Sequence, residues 1–192
     1  MTNRKPFLYL IIQPIVCGLI RLLYRPKFIG KERIPKNGRI ILASNHISAL
    51  DPFIVASSSK RTVHFLAKKE LFWFPLKYIL KSIGTIPVDR SKKDENATSE
   101  AEKFLNNNRL LCIFPEGTRG KNNDILPFKY GAVSLASKTD SLIVPVAIIG
   151  KYRIFRKGPL IHIGDPINIK DMDLESANEY LRESIIKLIN EV

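Results

Sequence analysis

Cysteine is scarce in this 192-residue sequence: Cys17 and Cys112 are the only two, and each sits inside an apolar run. That excludes a disulfide framework and suits buried thiols in a reducing compartment. No Cys/His cluster has zinc-ligand spacing, so no metal is expected. A run long enough to span a bilayer as a helix, about 20 apolar residues, is also missing. No Gly-rich phosphate loop or dinucleotide fingerprint is present, so no nucleotide cofactor is expected. No serine lies in a Gly-x-Ser-x-Gly setting, which argues against covalent serine hydrolysis. Internal repeats and low-complexity tracts are absent. With 45% hydrophobic residues the chain is neither disordered nor a polytopic membrane protein. Its length suits one domain with a possible appendage.

Acidic residues are few. Eighteen Asp and Glu stand against 31 Lys and Arg, a net charge of +13. Such an excess favours an anionic partner: nucleic acid, anionic lipid or a phosphorylated substrate. No nucleic-acid-binding motif accompanies it, so nucleic acid is the weakest of the three. The distribution is uneven. Residues 1–36 carry Arg4, Lys5, Arg21, Arg25, Lys27, Lys31, Arg33 and Lys36 against Glu32 alone. Within them, Phe7–Ile20 is uncharged, fourteen residues long, and interrupted by Pro14 and Gly18. No small-x-small cleavage site follows, and Arg21 comes early, which argues against a secretory signal. Residues 1–36 are therefore expected to form a basic and apolar helical segment, or broken helix pair, at the membrane interface. A helix simply packed on the main domain is the alternative. Leu71-Phe72-Trp73-Phe74-Pro75-Leu76, just after Lys68-Lys69, is a second interface-like patch, with a core segment as its alternative.

From residue 37 onward, short apolar runs alternate with helix-like runs. Strands are expected at 39–44, 62–67, 84–88, 110–114, 142–149 and 160–164. Helices are expected near 52–59, 74–82, 94–106, 129–138 and 174–190, the last with Leu174, Ala177, Leu181, Ile185 and Leu188 at helical spacing. The fold class is α/β, a mostly parallel central sheet flanked by helices. Pro145 inside the fifth run predicts a bulge, a strand end or an edge. His64 and His162 stand alone in alternating segments and read as ordinary strand residues.

The chemistry concentrates at strand exits, where open α/β sheets build their sites. Asn45-His46-Ile47-Ser48-Ala49-Leu50-Asp51 follows the run Ile40–Ala43 and places an imidazole and a carboxylate five residues apart. A neutral imidazole can take a proton from a hydroxyl near neutrality, and a carboxylate on its other ring nitrogen would fix the tautomer. On one continuous helix such positions lie about 140° apart, so the pair needs a turn between its members. Asp51-Pro52 is a helix-start signal, which leaves open that Asp51 is only a cap. A second exit carries Phe114-Pro115-Glu116-Gly117-Thr118-Arg119-Gly120. Its guanidinium suits a phosphate, and its glycines let backbone amides approach a ligand. Glu116 could accept a hydroxyl hydrogen bond or pair with Arg119. Gly84–Arg90 ends a third strand with another guanidinium, and Lys68 ends the second.

Taken in order, these segments resemble the glycerolipid acyltransferase family, most closely its 1-acyl-sn-glycerol-3-phosphate acyltransferase branch. Asn45–Asp51, with its His-x4-Asp pattern, is similar to the first of four family blocks. Gly84–Arg90 is similar to the second, Phe114–Arg119 to the third and Val144–Ala147 to the fourth. The likeness covers about residues 39–150 within an acyltransferase domain of 37–192. It implies that His46 is a general base oriented by Asp51, and that Lys68, Arg90, Glu116, Gly117, Thr118 and Arg119 serve the acceptor. The implied reaction moves an acyl group from acyl-CoA or acyl carrier protein to the 2-hydroxyl of lysophosphatidic acid, giving phosphatidic acid for phospholipid biosynthesis. No cofactor is implied, and the implied place is the cytoplasmic face of the cell membrane, peripheral or monotopic, on an anionic surface. Pro87 and Gly120 depart from common family residues, which touches substrate preference rather than the reaction. Glycerol-3-phosphate, a lysophospholipid or an ornithine lipid as acceptor, or a non-catalytic lipid-binding role, are the alternatives.

Overall fold

The computed structural model of the chain describes residues 7–82, 84–89, 91, 94–120 and 125–192, with the backbone alone for residues 7–13, 79 and 82. Seven strands form one sheet: β1 (Lys27–Ile29), β2 (Ile40–Ser44), β3 (Val63–Lys68), β4 (Ile86–Val88), β5 (Leu110–Ile113), β6 (Leu142–Ile149) and β7 (Leu160–Ile163). Their order is β1-β7-β6-β2-β5-β3-β4. Every neighbouring pair is parallel except β6 with β7. The α/β class with a mostly parallel sheet is thus what the chain adopts. The short strand β1 is an addition to the expected set. Three residues between Pro26 and Gly30 carry no usable periodicity, and β1 exists only because β7 pairs with it along Lys27–Ile29.

Helices cover both faces. One layer holds α4 (Glu95–Asn106), α5 (Gly131–Thr139) and α6 (Leu174–Asn190); the other holds α1 (Phe7–Tyr24), α2 (Asp51–Ala56) and α3 (Leu76–Ser82). Successive strand residues point to opposite faces, so each central strand feeds two cores. Ile41, Ala43, Leu111, Ile143 and Ala147 meet Leu105, Val133, Leu181 and Ile185 on one side. Ile40, Leu42, Leu110, Cys112, Val144 and Val146 meet Ile20, Ile54 and Val55 on the other. This burial on both faces is why these strands read as continuous apolar runs. Asp94 and Asp173 start α4 and α6 by accepting hydrogen bonds from Ala97 N–H (3.0 Å) and Ser176 N–H (2.9 Å).

The N-terminal segment is one helix through Pro14, not a broken pair. Its inner side packs on α2. Ile20 is buried, and the Arg21 guanidinium donates to the Ser57 carbonyl (2.8 Å) at the end of α2. Its outer side exposes Ile15, Leu19 and Leu22. Among the described residues no helix is long and apolar enough to cross a membrane.

Pro145 does not mark an edge, because β6 lies inside the sheet between β7 and β2. Ladder bonds from residues 143 and 145 face the β7 side: Ile143 pairs with Ile167, and the Pro145 carbonyl accepts from Gly164 N–H (2.9 Å). The missing N–H of Pro145 therefore falls on the β7 side, just past the end of β7 at Ile163, and the pairing of β6 with β2 runs on through Pro145. His64 and His162 are buried strand residues whose rings engage the carbonyls of Gly84 (3.0 Å) and Leu188 (3.0 Å).

Candidate active site

The first loop leaves the carboxyl end of β2 and is anchored before it begins. Asn45, buried, clamps β6 with both ends of its amide: Nδ2 donates to the Ile148 carbonyl (2.9 Å), and Ile148 N–H donates to Oδ1 (2.7 Å). The chain then turns, and Asp51 comes back beneath His46. Nδ1 of His46 lies 2.7 Å from Oδ2 of Asp51. An ionised carboxylate only accepts, so Nδ1 carries the proton and Nε2 keeps its lone pair. The turn demanded by the five-residue spacing is present.

Asp51 is not the helix cap. Leu50 holds that position without a side-chain bond, and Asp51 opens the first turn of α2. Its fully buried carboxylate reaches backward instead. Oδ2 also accepts from Ile47 N–H (2.7 Å) and Ser48 N–H (2.7 Å), and Oδ1 accepts from the Tyr152 hydroxyl (2.5 Å). Four donors therefore compensate one buried negative charge, as burial of a charge requires.

The second loop, after β5, grips His46 from the other side. The His46 ring stacks on Phe114, centroids 4.2 Å apart with planes at 21°. Glu116 is buried and pairs with backbone rather than with Arg119: Oε1 accepts from His46 N–H (2.9 Å) and Oε2 from Leu126 N–H (3.3 Å). Burial pushes its carboxyl up from the usual range, and these two hydrogen bonds pull it partly back. Gly120 N–H donates to the His46 carbonyl (2.9 Å). That bond uses backbone alone, so glycine at 120 removes nothing from the grip. Gly117 has φ +71°, and a Cβ there would come within 3.1 Å of the Lys129 ammonium, which lies across the loop. Thr118 and Arg119 are exposed at the loop tip.

His46 opens on a cavity of about 440 Å³ between α1, α2 and β3. Its wall is apolar: Val16 and Cys17 of α1, Phe53 and Ala56 of α2, Val63 and Phe65 of β3, with Leu71, Leu80 and Phe114. Val63 and Lys68 both border it, five residues apart on β3, so it runs roughly 16 Å along the strand at about 3.3 Å per residue. Among the described residues two cations stand on its border, Lys68 and Arg119. The Lys68 ammonium also meets Glu70 at 3.2 Å on the surface. Of the expected site residues, His46, Asp51, Lys68, Glu116, Gly117, Thr118 and Arg119 thus fall on two adjacent loops, the first turn of α2 and the end of β3, while Arg90 lies outside the described residues. Among those described, no group of His, Cys, Asp and Glu could hold a metal. Asn45, Lys129 and Tyr152 are not among the expected site residues, although Asn45 opens the first block, directly before His46.

The sequence model of the family described as Acyltransferase matches residues 25–149. The chain belongs to the acyltransferase family. This acyltransferase is 33% identical over 192 aligned positions to a 1-acyl-sn-glycerol-3-phosphate acyltransferase of Limnanthes douglasii, covering 93% of this chain and 66% of that protein. With proteins of the same name it shares 29% identity in Borreliella burgdorferi (85% of this chain, 71% of that one) and 29% in Bacillus subtilis (86% and 89%). The chain thus spans between about two thirds and nine tenths of the length of these relatives. Its fold matches the crystal structure of a 1-acyl-sn-glycerophosphate acyltransferase from Thermotoga maritima with a TM-score of 0.80 at 24% identity, covering 94% of this chain and 79% of that one. The enzyme is therefore an α/β acyltransferase whose relatives bear the name of the expected branch.

Proposed function

We propose that this enzyme transfers an acyl group from a thioester to the 2-hydroxyl of lysophosphatidic acid, with His46 as general base and Asp51 as its orienting partner. The observation that carries the reading is the position of the His46 imidazole at an apolar cavity of about 440 Å³ with Lys68 and Arg119 on its border. An acyl chain suits the apolar wall, and a phosphate suits the cations. Lys129, lying against Gly117 on the loop that carries Arg119, adds a third positive charge. The names of the relatives support the acceptor.

In this reading, Nε2 of His46 removes the proton of the acceptor hydroxyl as its oxygen attacks the acyl carbonyl carbon. The new C–O bond forms, the C–S bond breaks, and the imidazolium returns its proton to the departing thiolate. Asp51 stabilises the imidazolium between the two transfers. General-base catalysis supplies about 10²–10⁴-fold, and holding both substrates in line supplies much of the rest. Coenzyme A and acyl carrier protein both present such a thioester.

Membrane docking belongs to the same reading. Ile15, Leu19 and Leu22 on α1, together with Trp73, Phe74 and Tyr78, are exposed apolar side chains. On an anionic bilayer they would enter the lipid while Arg and Lys meet headgroups. Because α1 also walls the cavity through Val16 and Cys17, an amphipathic substrate would move from lipid to site without crossing water.

The test is thioester consumption by the purified enzyme beside His46→Ala. Lysophosphatidic acid, glycerol-3-phosphate and a lysophospholipid serve as acceptors, each with acyl-CoA and with acyl carrier protein. Activity confined to lysophosphatidic acid and abolished in the variant is the expected result. Turnover that survives the loss of the imidazole rejects the mechanism.

A further inference from the structure

The most unusual feature of the dyad is where its fourth donor comes from. Three of the donors to Asp51, the His46 ring and the N–H groups of Ile47 and Ser48, are local. All three fall on Oδ2. The donor to Oδ1, the Tyr152 hydroxyl, comes from 101 residues downstream, in the loop between β6 and β7. We propose that Tyr152 is a positioning residue of the catalytic dyad, one that holds the Asp51 carboxylate turned toward His46 and is itself held by α1. The proposal rests on the reading of His46 as base.

The seat of Tyr152 is built. Its ring meets Tyr24, the last residue of α1, edge-on with centroids 5.7 Å apart and planes at 79°. The same loop is fastened to the end of α1 by Phe155 N–H donating to the Leu23 carbonyl (2.7 Å). Lys27 N–H donates to the Pro159 carbonyl (3.0 Å) on its far side. Between them Gly158 passes so close that a Cβ would overlap the Tyr24 carbonyl. The loop that carries Tyr152 is thus fastened to the end of α1 by its backbone, and the ring rests on Tyr24. Burial and the Asp51 charge push the Tyr152 phenol far above its usual range, so it stays a donor at any working pH.

The hydroxyl has two consequences. It satisfies the one carboxylate oxygen that has no other donor among the described residues, and so prevents the carboxyl from rotating to recapture one. It also draws part of the negative charge away from the oxygen facing the imidazole. Removing it concentrates that charge on His46 and favours the imidazolium, which cannot act as a base. Among the described residues, the other ionisable groups facing the pair are Glu116, bonded to His46 N–H, Lys68 and Arg119 on the cavity border, the Cys17 thiol on the cavity wall, which burial pushes up, and the Cys112 thiol, which burial and Asp51 keep protonated. None is altered by the change at 152.

Tyr152→Phe deletes the hydroxyl and keeps the ring against Tyr24. The expected result is a fall in kcat of about tenfold or more, as for loss of a hydrogen bond to a charged group. KM for both substrates should stay within about twofold, and the acid limb of the kcat/KM profile should move to higher pH. A loss confined to KM, or an unmoved acid limb with unchanged kcat beside an inactive His46→Ala, overturns the proposal and leaves the dyad intact. A fully active His46→Ala overturns the dyad reading and the proposal together. Should Tyr152→Phe not fold, Tyr24→Leu keeps the hydroxyl but loosens its seat. Its acid limb should shift the same way, and an unmoved limb overturns the proposal.

Discussion

Asp51→Asn separates the charge of the dyad from its geometry. The amide keeps one oxygen, which can face the three donors now on Oδ2: His46 Nδ1–H, Ile47 N–H and Ser48 N–H. Its nitrogen then points at Tyr152, whose hydroxyl turns from donor to acceptor. The histidine tautomer and the turn survive, and the negative charge is lost. With charge centres about 4 Å apart and an effective dielectric constant near 20, the imidazolium–carboxylate attraction is on the order of 4 kcal/mol. That attraction exists only once the base has taken its proton, so its loss falls on the transition state. A barrier raised by that amount lowers kcat roughly 10³-fold, inside the range of about 10²–10⁴-fold for general-base catalysis. The assay is release of free thiol from a long-chain acyl thioester with lysophosphatidic acid in vesicles. Thermal unfolding and vesicle binding are read in parallel and should change little. If the variant keeps kcat within about threefold of the parent enzyme with an unchanged pH profile, Asp51 does not stabilise an imidazolium and the dyad is wrong.

Ala56 of α2 lines the cavity, as does Val63 at the end of β3 far from Lys68. Ala56→Phe should therefore exclude the last methylenes of a long chain, at about 0.8 kcal/mol each. The ratio of kcat/KM for long over short acyl donors should fall by about 10-fold or more; a constant ratio means the chain lies elsewhere. Burial pushes the His64 imidazole down to about 4. The unfolded chain takes up that proton near pH 6.5 and the folded one only near 4, so stability is lost as pH falls between them. The loss reaches on the order of 3 kcal/mol. Urea unfolding of His64→Gln should lack this slope, and parallel stability curves for the two proteins would contradict the assignment. Ile15→Ser, Leu19→Ser and Leu22→Ser together should weaken binding to anionic vesicles by about tenfold or more, since each large apolar side chain contributes about 1.5–3 kcal/mol on full burial. Thermal stability should hold because all three are exposed; undiminished binding would remove α1 from the membrane contact.

Much of the architecture is legible in the chain because it follows from local rules. Apolar runs such as Ile40–Ala43 and Leu142–Ile149 are strands because both of their faces are covered, and the spacing of Leu174 to Leu188 predicts α6. The two loops that build the site are legible for the same reason: each follows a strand directly, and parallel strands deliver their exits to one edge. The need for a turn between His46 and Asp51 follows from helical geometry alone.

What the local pattern could not decide is who meets whom across the fold. Asp51 carries every sign of a helix cap, and only the return of the loop beneath His46 makes it a partner. Glu116 reads as a ligand for substrate or for Arg119, yet burial beside β2 commits it to the backbone N–H groups of His46 and Leu126. Tyr152 sits in a basic loop with no motif around it. It reaches Asp51 only because β6 lies against β2 and brings the end of one strand beside the exit of the other. Periodicity and propensity act over a few residues, whereas the contacts of Glu116 with His46 and of Tyr152 with Asp51 join positions 70 and 101 residues apart. They exist through strand register and helix packing, which no single segment of the chain contains.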